Sequence, residues 1–464
     1  MSTSPKDTND VVVADKFKIS DLWKKEDWLS IWIAFIIIAV AAVGSLSGTF
    51  EFSGAKFASW GFSVSEFTDP AKAKGFLGIF STALGIKLAI TFAAFAFLFT
   101  VGNLCEGKKP LKFLLAFVGM FALVSVVRVL SAEATFKHYL EYAFWALLLG
   151  LVISNTVKTP EWLKPALRTE FYIKTGLVIL GAQVLFSNIQ KFGLYGLGIA
   201  WGVTPIVIVF MWWYGTKLMK IKNNPLVITI AAATSVCGTS AAIAAAAAAK
   251  AKKTDLAFAV GTSLIFTVLM MVGMPFFIKA IHIDPMIGGA WIGGTVDSTG
   301  AVVLAGQALG DVGGQVAALV KMIQNILIGF VALGIAIFFT TKVDAQASAD
   351  QKVGVGEIWQ RFPKFILGFL AASMVFSFVL QPVYGTEATT DVIKHLKEFQ
   401  NWAFALAFTS IGLETNFKAL CGQVQGGKPF QLYIIGQVFN LVLTFVVVWF
   451  LLCGKFFPIP TINT

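Results

Sequence analysis

From residue 29 to residue 453 the chain is a procession of apolar runs, most of them about 20 residues long, separated by short polar connections. That length is what one helix needs to cross a hydrocarbon layer of about 30 Å. Water offers no shelter to a helix that is apolar all round, whereas lipid accepts such surface on every side. Only 13% of the residues are charged and 57% are hydrophobic, against roughly one quarter charged in soluble domains. A soluble fold is excluded. The runs fall near 29–48, 84–103, 111–130, 137–155, 172–190, 193–214, 255–279, 316–340, 361–382, 400–418 and 432–453. Backbone polar groups in lipid must bond within their own segment, so each run is expected to be a helix. The expected fold is all-α and polytopic, with about 11–13 membrane segments.

The net charge of +11 does not point to nucleic acid, because the basic residues cluster in short connections between apolar runs, as the positive-inside rule requires. Lys16, Lys18, Lys24 and Lys25 place the N-terminus on the cytoplasmic side. Lys108, Lys109 and Lys112, then Lys158, Lys164 and Arg168, then Lys217, Lys220 and Lys222 fall on the same side, two spans apart each time. Residues 1–28 are polar, and the run after them exceeds a signal-peptide core and lacks a clear small-residue cleavage site. It reads as a retained first helix. Trp23, Trp28, Trp212, Trp213 and Trp449 stand near span ends, where amphipathic rings favour the interface. Cys105, Cys237, Cys421 and Cys453 show no C-x-x-C spacing, and His138, His282 and His395 lie far apart, so no metal cluster is legible.

Two further stretches, 225–249 and 286–306, are apolar enough to enter the membrane yet carry Gly, Ser, Thr and Asp at their middles. The basic group Lys250, Lys252 and Lys253 would lie outside if 225–249 crossed fully, so the charge count favours a re-entrant segment there. If 286–306 re-enters from the other face, Lys342, Lys352, Arg361, Lys364, Lys418 and Lys428 return inside; the alternative is full crossing by both stretches, at the cost of one misplaced basic loop. The stretches also resemble one another: CGTSAAIAAAAAAKAKK from Cys237 and DSTGAVVLAGQALGDVGG from Asp297 bring Thr239 opposite Thr299. Entering from opposite faces, they would form an inverted repeat, an arrangement that places binding sites where broken helices meet. A second likeness joins GAQVLF at Gly181 to GLETNF at Gly412, at a different offset, so no single tandem duplication explains both.

Unwound backbone inside a bilayer is tolerated only where protein buries it or water lines it. Ser235, Cys237, Gly238, Thr239 and Ser240 are therefore candidates for one wall of a cavity, and Gly294, Thr295, Asp297, Ser298, Thr299 and Gly300 for the other. Their hydroxyls can donate to an anion, and short helices starting after the breaks would aim N-terminal dipoles at the cavity. Close helix packing by small residues is the competing reading, preferred for AAIAAAAAAK. Ionisable groups at membrane depth cost about 2.5–3.5 kcal/mol each on insertion scales and count as functional candidates. Asp297 lies in the second break, Lys321, Gln324 and Asn325 open the helix after it, and Glu414 with Asn416 end a span. Asp297, Glu414 and Asn416 are candidates for a coupling proton or sodium ion, and Lys321 for holding an anion. Arg128 and Glu141 read as interfacial.

These motifs, with TSVCGTSAAIAAAAAAKAKKTDLAFAV, GAWIGGTVDSTGAVVLAG, VKMIQNILIG and AFALAFTSIGLETN, resemble the YeiH-like sulfate exporter family over about residues 140–453. The resemblance implies a secondary carrier of two inverted halves, distantly similar to the bile-acid/sodium symporters and cation/proton antiporters with their crossed broken helices. Many members of that family carry a His-Glu pair where this chain has Val296 and Asp297, which puts substrate and coupling ion in question. The expected division is an N-terminal segment 1–28, helices in 29–135 that match less well, a carrier core at 136–453 and a tail at 454–464. The expected partners are a small anion, the lipid of a bacterial inner membrane and a second copy of the chain, with no cofactor, nucleic acid or enzymatic activity. A channel and a sodium- or proton-coupled organic-anion carrier are the rival classes.

Overall fold

The computed structural model describes residues 18–61, 75–134, 142–184, 186–339, 362–416 and 427–460, with 341, 359 and 418 as isolated positions. His138, Glu141, Cys421, Lys16, Lys342, Lys352 and Arg361 fall outside these residues, as do 1–17 of the N-terminal segment and 461–464 of the tail. Among the described residues the structure is helical and has no strand; one isolated bridge pairs Trp60 with Glu133. In chain order the helices are α1 Glu26–Ser47, α2 Thr82–Cys105, α3 Pro110–Leu130, α4 Tyr142–Thr156, α5 Thr169–Gly181, α6 Phe186–Trp213, α7 Asn224–Ser235 and α8 Ser240–Ala248. They continue as α9 Lys253–Ala280, α10 Pro285–Thr295, α11 Thr299–Gln307, α12 Asp311–Phe338, α13 Phe365–Val375, α14 Gln381–Glu414 and α15 Lys428–Leu452. Among the described residues, eight helical runs are long and apolar enough to cross a bilayer.

The chain folds into two compact units, one holding residues within 191–363 and 417–461, the other residues within 18–190 and 364–416. In the second unit α14 packs against α4 and α5. Its buried positions Val392, Leu396 and Phe399 follow helical spacing, and from Trp402 to Phe408 every residue is buried. Charges close one end of this unit. Arg168 bonds Glu26 at 2.9 Å and Glu106 at 2.8 Å, while Lys174 reaches both Glu26 and Asp27 at 2.9 Å. Arg168, expected as a loop charge that marks a side, is thus a 9% exposed member of an ion network that also holds Lys174 and Lys108.

Two boundaries differ from the sequence expectation. The break expected near 190–193 lies instead at Ala182–Val184, and α6 runs through Gly193. Gly181 ends α5 with its backbone against Phe369, and Ser373 and Ser377 receive the freed polar groups: Ser373 Oγ donates to Val184 O at 2.5 Å and Ser377 Oγ accepts from Phe186 N at 2.8 Å. The polar stretch between the apolar runs 361–382 and 400–418 is helical from Thr386 to Phe399, because Thr389, Val392, Leu396 and Phe399 bury one face although the segment is polar on average. Between α13 and α14 the helix widens over Phe376–Leu380, and Gly385 leaves helical geometry at φ 83°.

In the first unit the irregular stretches are two broken helices with matching parts. α7 has 12 residues, α8 has 9 and the following α9 has 28; α10 has 11, α11 has 9 and α12 has 28. Each pair starts on the same local signal. Asn223 caps α7, accepting from Leu226 N at 3.2 Å, with Pro225 in the first turn; Asp284 caps α10, accepting from Met286 N at 2.8 Å, with Pro285 at its first position. A helix of 12 residues reaches only about 18 Å, so neither half crosses a bilayer alone. α12 begins at Asp311, earlier than its apolar run, so Lys321 stands well inside the helix rather than at its opening.

α12 packs against both α10 and α11. A Cβ at Gly293 would lie 2.7 Å from Ala317 O and 2.8 Å from Val320 Cβ, both on α12. Gly293→Ala should therefore lower stability by about 1–3 kcal/mol, the usual cost of overpacking a rigid backbone contact. Detergent-solubilised protein melting at the wild-type temperature would show that this seam can open.

Candidate functional site

The two breaks touch. Gly238 N–H, between α7 and α8, donates to Asp297 C=O, between α10 and α11, at 2.7 Å. Gly238 also lies hard against the Ser263 side chain of α9 and, through its missing Cβ, near Asp297 Cβ. No larger residue would let the backbones approach this closely without displacing Ser263.

A broken helix leaves carbonyls unpaired at one end and N–H groups unpaired at the other, with the helix dipole adding negative and positive character respectively. The negative ends are served from α12. Lys321 Nζ donates to Val236 O at 2.5 Å, just past α7, to Val296 O at 2.8 Å, just past α10, and to Gln324 Oε1 at 2.7 Å. Gln324 Nε2 donates to Ser235 O at 2.9 Å and Gly294 O at 3.1 Å. Thr204 of α6 adds a donor to Ser235 O at 3.2 Å. Lys321, expected to hold an anion, directs its three N–H groups at these three oxygen acceptors.

The positive ends are different. Thr239 precedes α8 and Ser298 precedes α11, and neither side chain caps its helix. Thr239 and Ser240 are exposed and Ser298 half-buried, whereas Cys237, Gly238, Gly294, Thr295, Thr299 and Gly300 are buried. Thr299 Oγ1 accepts from Asn325 Nδ2 at 3.0 Å, leaving Asn325 Oδ1 without a partner.

Asp297 is 1% exposed. Its Oδ2 accepts from Ser263 at 3.1 Å and from the Tyr433 hydroxyl of α15, while Oδ1 has no hydrogen-bond partner. The wall around it is polar. Gln437 Nε2 donates to Thr295 O at 3.3 Å, Asn440 Nδ2 to Thr234 O at 3.1 Å, and Thr444 Oγ1 to Asn440 Oδ1 at 3.0 Å.

Ser235, Cys237, Gly238, Thr239, Ser240, Gly294, Thr295, Asp297, Ser298, Thr299, Gly300, Lys321, Gln324 and Asn325 all belong to one unit. Glu414 and Asn416 belong to the other, where Glu414 accepts from Thr169 Oγ1 at 2.9 Å and Asn416 donates to Ser154 O at 3.2 Å. There too Arg128, expected to be interfacial, is 9% exposed and bonds Glu398 at 2.7 Å. Sequence reasoning missed Thr204, Ser263, Tyr433, Gln437 and Asn440. The last two and Tyr433, with Thr444, recur every three or four residues along α15, a polar stripe in an apolar run that periodicity could have found.

Among the described residues, eight helical runs long and apolar enough to cross a bilayer and two broken helices in contact define a polytopic helical membrane protein with an interrupted-helix core. Residues 113–432 match the family described as Conserved hypothetical protein 698, and the chain belongs to that family. It is similar to a UPF0324 membrane protein of Rhodopirellula baltica, 51% identical over 372 residues that make up 80% of this chain and 67% of the relative. A UPF0324 membrane protein of Nitratidesulfovibrio vulgaris is 46% identical over 368 residues, 78% of this chain and 63% of the relative. The chain thus spans about two thirds of the length of these relatives. A third, from Nitrosomonas europaea, is 27% identical over 95% of this chain and 98% of its own length. No solved structure matches the chain.

Proposed function

We propose that this membrane protein is a secondary transporter that moves a small anion, of the sulfate, sulfite or small sulfonate class, by alternating access around the two breaks. One observation carries the reading. Where Gly238 meets Asp297, the negative helix ends are neutralised by Lys321 and Gln324, while the positive ends at Ser240 and Thr299 have no side-chain cap. Uncapped N-terminal N–H groups and neighbouring hydroxyls are the donors an anion needs. The likeness to YeiH-like exporters supports the same class, as does the bile-acid symporter and cation/proton antiporter architecture it implies. A bacterial inner membrane with the N-terminus inside fits the basic loops.

Asp297 favours coupling to a proton or sodium ion. A buried carboxylate with one unpartnered oxygen is costly unless something positive meets it. Counterflow in proteoliposomes with labelled sulfate, sulfite and small sulfonates tests the substrate class. Saturable exchange of at least one of these anions is expected, and Thr239→Val with Thr299→Val should reduce it several-fold. Undiminished exchange in the double variant, or unsaturable flux with unitary currents, would exclude this carrier and this site.

A further inference from the structure

We infer that Lys321 is a tethered cation: its ammonium fills a monovalent-cation cage built by carbonyls at the ends of both broken helices, and so keeps free sodium out of the point where the breaks meet. The cage oxygens are Val236 O at 2.5 Å, Val296 O at 2.8 Å and Gln324 Oε1 at 2.7 Å from Nζ. Three acceptors require three N–H groups, which the ammonium has and the neutral amine lacks. The Gln324 amide is oriented by its surroundings. Its Nε2 faces the carbonyls of Ser235 and Gly294, so turning it over would set its oxygen against two others and its NH2 against the ammonium.

All three cage oxygens are neutral and two are backbone carbonyls at half-helix C-terminal ends, the donor type with which interrupted helices coordinate sodium in membranes. Lys321 is 1% exposed, on a helix packed against α8, α10 and α11, so the charge is delivered from a fixed support. Its three bonds leave no donor for Asp297, whose Oδ2 is served by Tyr433 and Ser263. The cation filling the cage and the carboxylate beside it are therefore separate devices. The inference bears on the coupling ion of the proposed carrier but does not depend on its substrate.

The test reads folding stability, so it can fail while the transport reading stands, and the reverse. Full-length protein is melted in sodium, methylammonium and choline chloride at equal ionic strength. Wild type, whose cage is already filled, should gain less from sodium or methylammonium over choline than Lys321→Ala does. Lys321→Ala, which empties the cage, should melt lower in choline and gain a saturable upward shift of several degrees in sodium or methylammonium. Lys321→Met, whose side chain still occupies the space, should gain none. Equal melting of Lys321→Ala in all three salts would overturn the inference, as would a sodium shift in wild type as large as that of the variant. Should Lys321→Ala not survive purification in choline, recovery of monodisperse protein in methylammonium supports the cage, and equal failure in both salts counts against it.

Discussion

Asp297→Asn should yield a folded protein whose solute transport no longer responds to a proton or sodium gradient. Tyr433 and Ser263 both donate to Oδ2, and the amide oxygen of asparagine can accept the same two bonds. The amide nitrogen then stands where Oδ1 has no partner, and the charge is gone. Melting should stay near wild type, while gradient-driven accumulation in proteoliposomes should fall to the level of empty vesicles. Gradient-driven uptake surviving at the wild-type rate would show that Asp297 is a structural acceptor and that coupling lies elsewhere. The backbone contact from Gly238 uses the Asp297 carbonyl, not the carboxylate, so the substitution leaves the meeting of the breaks intact.

Arg128→Leu should destabilise the second unit by about 3–5 kcal/mol, the usual cost of stripping one partner from a buried ion pair. Arg128 and Glu398 side chains are only 9% and 11% exposed and lie 2.7 Å apart. The guanidinium also sits 5.2 Å from the Tyr142 ring centre and 5.7 Å from that of Trp402, each contact adding about 0.5–2 kcal/mol. Among the described residues, the charged partner left to the carboxylate after the change is Lys56 at 3.7 Å, on a side chain 75% exposed. Glu398→Gln in the Arg128→Leu background should recover more than half of the loss, because the orphaned charge is the main penalty. Unfolding titrations that show no recovery would assign the stability to packing around Arg128 instead.

The segments most legible in the sequence were those whose neighbours matter least. α1, α2, α3, α9 and α15 lie within a few residues of their apolar runs, since lipid exposure demands apolar side chains whatever the helix packs against. The breaks were legible for the complementary reason. Gly238, Thr239, Asp297 and Ser298 interrupt apolar runs where exposed backbone is intolerable. The stretch 383–399 is polar on average, but it meets partners that average polarity does not record: Asp391 accepts from Ser45 Oγ at 3.1 Å, and Phe399 stacks on Phe52 and packs edge-on against Phe95.

Lys321 marks the same limit within the site. An intramembrane lysine advertises function, but only the fold shows that two carbonyls and a glutamine already use its donors. Of the two hydroxyls that meet Asp297, one comes from Tyr433, 136 residues away in sequence. Sequence alone determined that the chain lives in lipid, is helical and is interrupted twice, because hydrophobicity and backbone satisfaction act locally along the chain. Only the tertiary structure decided that the interruptions touch, that Lys321 donates to the carbonyls at their ends and which donors serve the buried carboxylate. Those pairings join residues far apart in the chain, and no local pattern encodes them.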